Sequence, residues 1–234
     1  MVTGASGVIG VALTTALLDA GYSVIAFGRY SPQEFSSATH PNLRREQEEL
    51  LRKGAVDRIV AVADEEGGAS SLVHLARSKE NLQGPRSSRE NWLAEYELSV
   101  LFPYELIQRF RTQVGFRKAV LAGSIYGLVA QRPDLYKDES SLNPHYGAAK
   151  AAVTQLVRDL AVQLAPACQV NSVAWGGIQE GTSSRTSELY GASNPSGRML
   201  TLGEVVSPVL FLLGDGSSGI TGHTMVVDGG WTSW

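Results

Sequence analysis

The 234 residues carry 20 basic and 23 acidic side chains, a net charge of −3, which excludes the strong positive field that nucleic acid or an anionic membrane would select. Apolar residues make up 43% and charged residues 18%, so the composition is that of a folded chain with a sizeable core, and the length predicts one domain spanning 1–234. One cysteine, Cys168, and four histidines exclude an internal disulfide and a cysteine-rich metal cluster. The longest apolar runs, around Val11–Leu18 and Val205–Leu213, fall short of the roughly 18 residues of a membrane span. The first basic residue is Arg29, so the positive start of a signal peptide is missing, and the expectation is a cytoplasmic, metal-free protein.

Met1 and Val2 alone precede Thr3-Gly4-Ala5-Ser6-Gly7-Val8-Ile9-Gly10, a glycine turn that opens the helical pattern Val8–Ala20; the first strand is therefore expected to be truncated. A strand is predicted over Ser23–Phe27, running into Gly28 and Arg29. Within 30–54, Leu43–Lys53 is dense in Arg, Glu and Gln and reads as a solvated charged helix, with a short edge strand ending near Glu49–Leu50 as the alternative. Helical spacing then marks Ala55–Glu66, Trp92–Thr112, Tyr146–Ala165 and Leu202–Leu213. Short β-branched or aromatic runs mark strands at Leu72–Leu75, Lys118–Ala122, Gln169–Val173 and Thr224–Val227. This alternation predicts an α/β fold: a Rossmann-like, doubly wound parallel sheet in three layers. Two segments rich in turn formers, Gln131–Pro144 and Ile178–Gly197, read as functional loops, the second able to close over a ligand. Trp92, Tyr96 and Tyr104 stand at helical spacing and read as core or subunit contact, and the tail Trp231–Trp234 as docking against a partner subunit.

Two constellations carry chemistry. Glycines at the first turn let backbone approach a pyrophosphate, whose charge suits the positive start of the next helix; Gly4, Ser6, Gly7 and Ile9 are the candidate contacts. Arg29 after the second strand can pair with a 2′-phosphate and no carboxylate is seen to compete, which favours NADP, with NAD as the alternative. Tyr146 and Lys150, four apart, share a helix face, where an ammonium favours the phenolate of a tyrosine whose ordinary pKa of about 10 makes it a poor acid or base at neutral pH. Ser124 follows an apolar strand, at the sheet edge where such folds bind ligands.

The order of these segments resembles the short-chain dehydrogenase/reductase family, in its short single-domain branch, nearly end to end. Gly4–Gly10 is similar to its cofactor turn, Leu72–Ala76 stands at its Asn-Asn-Ala-Gly strand end, and Gly123-Ser124-Ile125-Tyr126-Gly127 resembles its Ser-Ser-Ile-x-Gly segment. Tyr146-Gly147-Ala148-Ala149-Lys150 matches its Tyr-x-x-x-Lys, Val170–Ile178 its Val-Asn-x-Val-x-Pro-Gly-x-Ile, and Ile220-Thr221-Gly222 with Val227–Gly230 its tail. The resemblance implies a hydride-transferring oxidoreductase that interconverts a ketone and a secondary alcohol on a small molecule. Tyr146 would be its acid or base, Lys150 would lower the tyrosine pKa and bond the nicotinamide ribose, and Ser124 would orient the substrate oxygen. Ala76 and the backbone at Gly177 and Ile178 would complete the cofactor site, and a homodimer or homotetramer is implied. Ser99 occupies the family's helix asparagine, its shorter side chain implying a slowed or rerouted proton relay, and Trp175 replaces a proline beside the nicotinamide. Ser124 and Tyr146 lie 22 positions apart, a gap longer than usual in the family and matched by an insertion over Asp134–Leu142, which hints at a sugar-like or polyol substrate. Two other readings stand beside this one. A non-catalytic cofactor-binding or interaction protein is motivated by the first strand, Ser99 and Trp175; redox-neutral sugar epimerisation or dehydration is motivated by the Gly7 spacing and His74.

Overall fold

A computed structural model describes residues 1–29, 39–78, 88–135 and 142–233. Seven parallel strands form one sheet: β1 (Val2–Thr3), β2 (Val24–Gly28), β3 (Leu43–Gln47), β4 (Ser71–His74), β5 (Lys118–Ala122), β6 (Gln169–Trp175) and β7 (Thr224–Val227), in the order β3-β2-β1-β4-β5-β6-β7. The helices are α1 (Val8–Asp19), α2 (Ala55–Glu65), α3 (Arg89–Tyr96), α4 (Phe102–Phe110), α5 (Pro144–Leu164), α6 (Ser184–Ala192) and α7 (Leu202–Leu213). Alternation along β2 assigns its side chains to two layers. Val24 and Ala26 enter a core with Leu13 and Leu17 of α1 and Val205 and Val209 of α7. Ile25 and Phe27 enter the opposite core with Ile59 of α2, Leu106 of α4 and Val153 and Leu160 of α5. The sequence-derived three-layer, doubly wound fold is what the strand order and the two cores describe.

β1 is two residues long, yet it is held on both sides: Val2 and Thr3 register with Ala26 and Phe27 of β2 and with Val73 and His74 of β4. The chain order reverses between β1 and β4, so a crevice opens at their carboxyl ends. Leu43–Gln47 is a strand rather than the charged helix expected there. Its backbone pairs residue by residue with β2, and charged groups of this segment are matched laterally: Arg44 reaches Glu46, Glu65 and Glu66, while Arg58 of α2 reaches Glu46 and the following Glu48. Helix propensity lost because an edge strand can carry charge on long side chains that fold back over a neighbouring helix.

The segment Ile178–Gly197 is no simple loop, since α6 occupies Ser184–Ala192, started by the Ser183 side chain accepting from the Thr186 N–H. The core part of the expectation for Trp92, Tyr96 and Tyr104 is corrected: all three are exposed, on the outer surface of α3 and α4. Trp231 is buried within its own chain, stacked on Tyr190 of α6 at 4.3 Å between ring centroids, with the Arg132 guanidinium over its ring. Trp234 and most of Asp134–Leu142 lie outside the described residues.

Candidate active site

The crevice at the strand reversal is a cleft of about 810 Å³. Gly4 ends β1 at φ +75°, and a Cβ there would lie 2.6 Å from the Ala76 backbone nitrogen, so the turn can pass under the end of β4 only as glycine. Gly7 caps α1 without a side-chain hydrogen bond, and no acidic residue stands in the first turn of that helix. Its first N–H groups therefore face the cleft, which Ser6, Gly7, Val8 and Ile9 line. Gly4, Ala76, Arg29, Tyr146, Gly177 and Ile178 line the same cleft, whereas Lys150, read from the sequence as a further cofactor contact, is not among its lining residues. The shape and the uncapped helix start fit a dinucleotide.

One premise of the cofactor reading is corrected. The Arg29 guanidinium lies 4.0 Å from the Glu49 carboxylate, and Glu48 and Glu49 both line the cleft, so carboxylates do stand beside Arg29. As a solvated helix this segment would carry them away from the cleft; as the continuation of β3 it returns to the end of β2, where the Glu48 N–H donates to the Gly28 carbonyl at 2.9 Å.

Across the cleft, Ser124 follows β5 in extended backbone and its Oγ accepts the Tyr126 N–H at 3.2 Å, leaving its own hydroxyl proton available. The turn after it presses on α5, because a Cβ on Gly127 would lie 2.6 Å from the Lys150 carbonyl carbon. That contact sets Ser124 and Tyr146 on the same cleft. Lys150 lies behind the wall, 3% exposed, donating to the Ala122 carbonyl at 3.0 Å and to Ser99 Oγ at 3.2 Å, with its Nζ 5.5 Å from the centroid of the Tyr146 ring. Burial lowers the Lys150 amine to about 8, with Glu95 opposing the fall and Arg77 adding to it.

Ser99 reaches Lys150 directly because the helix is widened at that point: Glu97–Leu101 is a π-helical segment between α3 and α4. The neighbouring Leu98 carbonyl turns aside to accept His74 Nε2–H at 2.9 Å, while Thr3 Oγ1 and His74 Nδ1 are 2.7 Å apart. His74 is thereby fully engaged, and burial, then Lys150, lower its pKa to about 3. It ties β1 and β4 to the π segment and offers nothing to a substrate, which removes one motive for the redox-neutral reading. Trp175 ends β6 two residues later than expected, its indole N–H held by the Val205 carbonyl at 3.0 Å, and it lines the cleft.

Three contributors were missed in the sequence. Tyr190 accepts the Gly177 N–H at 2.9 Å and so fixes that backbone, and Glu180 joins the lining. Glu95, fully buried, accepts the Ser99 hydroxyl at 2.6 Å. The one signal for it is spacing: Glu95 and Ser99 are four apart, as are Tyr146 and Lys150.

Comparison with known proteins agrees with this geometry. A family model described as enoyl-(acyl carrier protein) reductase matches residues 4–232. Galactitol 2-dehydrogenase of Rhizobium johnstonii is 29% identical over 253 residues, covering 100% of this chain and 95% of its own. D-beta-hydroxybutyrate dehydrogenase of Rhizobium meliloti is 25% identical over 261 residues, covering 100% and 98%. The crystal structure of a short chain dehydrogenase from Leptospira borgpetersenii with bound NAD+ superposes with a TM-score of 0.86 at 23% identity, covering 99% of this chain and 91% of that one. With the glycine turn, the serine and the tyrosine on one cleft and the lysine behind it, this chain belongs to the short-chain dehydrogenase/reductase family of oxidoreductases.

Proposed function

We propose that residues 1–234 form one catalytic domain that interconverts a ketone and a secondary alcohol on a small sugar-like or polyol molecule, preferring NADP over NAD. The observation that carries this reading is the placement of Tyr146 on the cleft with the Lys150 ammonium 5.5 Å from its ring and Ser124 on the same wall. The bound nicotinamide supplies the hydride. Tyr146 gives its phenolic proton to the substrate oxygen in reduction and takes it back in oxidation. Lys150 favours the phenolate left behind, and the free Ser124 hydroxyl donates to the substrate oxygen, fixing the reacting carbon. Gly4, Ser6, Gly7, Ile9 and Ala76 would hold the pyrophosphate side, with Gly177 and Ile178 at the carboxamide.

The sugar-like class is supported by the α6 side of the cleft, where, among the described residues, Glu180, Thr182 and Thr186 offer hydrogen-bonding groups rather than a cation, and by the similarity to galactitol 2-dehydrogenase. A hydroxy acid, the alternative suggested by the second relative, would call for a cation on that side. Trp92, Leu93, Tyr96, Leu101 and Tyr104 form an exposed apolar surface on α3, the π segment and α4, which suits a second copy of the chain in a homodimer or homotetramer.

The test is NADPH oxidation with a panel of ketoses. Tyr146→Phe should lower turnover by at least about two orders of magnitude, the usual contribution of a positioned acid, while fluorescence titration still shows NADPH bound. Full turnover in that variant would overturn the assignment.

A further inference from the structure

We infer that Glu95 is a positioning residue of this active site: through the Ser99 hydroxyl, its carboxylate holds the Lys150 ammonium against the wall behind Tyr146. The inference rests on the oxidoreductase reading above and adds to it a residue outside the Ser-Tyr-Lys constellation.

Glu95 lies in the last turn of α3, Ser99 follows one turn later in the π segment, and Lys150 lies in α5; the three are 0%, 1% and 3% exposed. A serine hydroxyl has one proton. Ser99 gives it to Glu95 Oε1 at 2.6 Å, so the lone pairs of its oxygen are left to accept Lys150 Nζ at 3.2 Å. The chain of bonds thus runs from Lys150 as donor to Glu95 as terminal acceptor, and the negative charge at its end favours the protonated lysine. The second acceptor, the Ala122 carbonyl at 3.0 Å, is neutral and supplies no counter-charge.

Other groups around Lys150 do not supply one. Arg77, after β4, is a like charge that lowers the amine further; His74 on β4 is held neutral; Tyr146 on α5 is the group that Lys150 serves. His145, the neighbour of Tyr146 on α5, is buried against Trp92 with neither ring nitrogen hydrogen-bonded among the described residues, and burial lowers its pKa while Glu95 raises it. Glu95 is therefore the anion among the described residues that offsets a buried ammonium whose pKa has already fallen to about 8. Without its charge the amine would lose its proton near neutral pH, and a neutral amine does not favour a phenolate.

The experiment reads Lys150 itself, in full-length protein free of cofactor and substrate. Lysine labelled with carbon-13 at Cε is followed by NMR through a pH titration, the Lys150 signal being the one absent in Lys150→Met. Glu95→Gln keeps the shape and the hydrogen bond but removes the charge, and should lower the Lys150 midpoint by about one unit or more; Ser99→Ala should lower it less; Glu95→Asp should restore part of the shift. In NADPH-dependent ketose reduction, the alkaline limb of the pH profile should move down in Glu95→Gln by the same amount. A Lys150 midpoint unchanged in Glu95→Gln overturns the inference, and if that variant does not fold, an unchanged midpoint in Ser99→Ala does so. A midpoint that moves in a protein oxidising NADPH with no ketose upholds the inference and overturns the proposed activity instead.

Discussion

At the scale of single residues, cofactor choice turns on two side chains. Arg29 and Glu49 face each other at 4.0 Å with 40% and 53% of their side chains exposed, so the pair is screened by water and weakly held. A 2′-phosphate offers Arg29 a doubly charged, bidentate partner in place of one carboxylate. Arg29→Ala should weaken NADPH roughly tenfold or more while leaving NADH nearly unchanged, and Glu49→Gln should tighten NADPH. Fluorescence titration with both nucleotides checks this; equal losses in Arg29→Ala would remove the arginine from the 2′ position. The arginine was legible in the sequence, because it directly follows an apolar strand. Glu49 was not, since its nearness depends on β3 running back beside β2, and Glu95 was hidden within an amphipathic pattern where a buried carboxylate looks like one more solvated charge.

At the scale of elements, the join between β1, β4 and the π segment is the arrangement most open to test. His74 spans it, bonded to Thr3 on one side and Leu98 on the other. Its pKa in the folded chain is about 3, below the ordinary 6.5, so the unfolded chain takes up a proton that the folded chain refuses. This contribution to stability is complete above about pH 6.5 and is lost as the pH falls toward 3. Between pH 7 and pH 5 the wild type should lose about 2 kcal/mol more than His74→Gln, measured by urea unfolding at both values. Identical losses would show that His74 titrates freely in the folded protein. Strands and helices with strong periodicity, such as Lys118–Ala122 and Leu202–Leu213, were readable to the residue. What escaped were features set by tertiary partners: the π widening, which no local propensity encodes, and β3, whose charges are matched by α2. Trp231 escaped for the same reason, because an aromatic near the tail reads the same whether its stacking partner is Tyr190 or another subunit.

At the scale of the whole molecule, the cleft draws on both ends of the sequence order: the turn after β1, the ends of β2 and β4, the segment after β5, and α6. A ligand that fills it bridges parts otherwise joined through the sheet, and stabilises the folded state by mass action. NADPH at about 100 times its dissociation constant should add about 2.7 kcal/mol and raise the melting temperature by roughly 5–10 °C for a chain of this size. A melting temperature unmoved by either nucleotide would mean that the cleft is not a dinucleotide site. The charged strand β3 has a consequence of another kind. It forms one margin of the sheet, where an open backbone would otherwise invite a strand from a neighbouring molecule. Arg44, Glu46 and Arg58 knit that margin to α2, so an incoming strand would have to break ion pairs before it gained hydrogen bonds. The residues that made this segment hard to recognise as a strand are thus the ones that guard the protein against edge-to-edge aggregation.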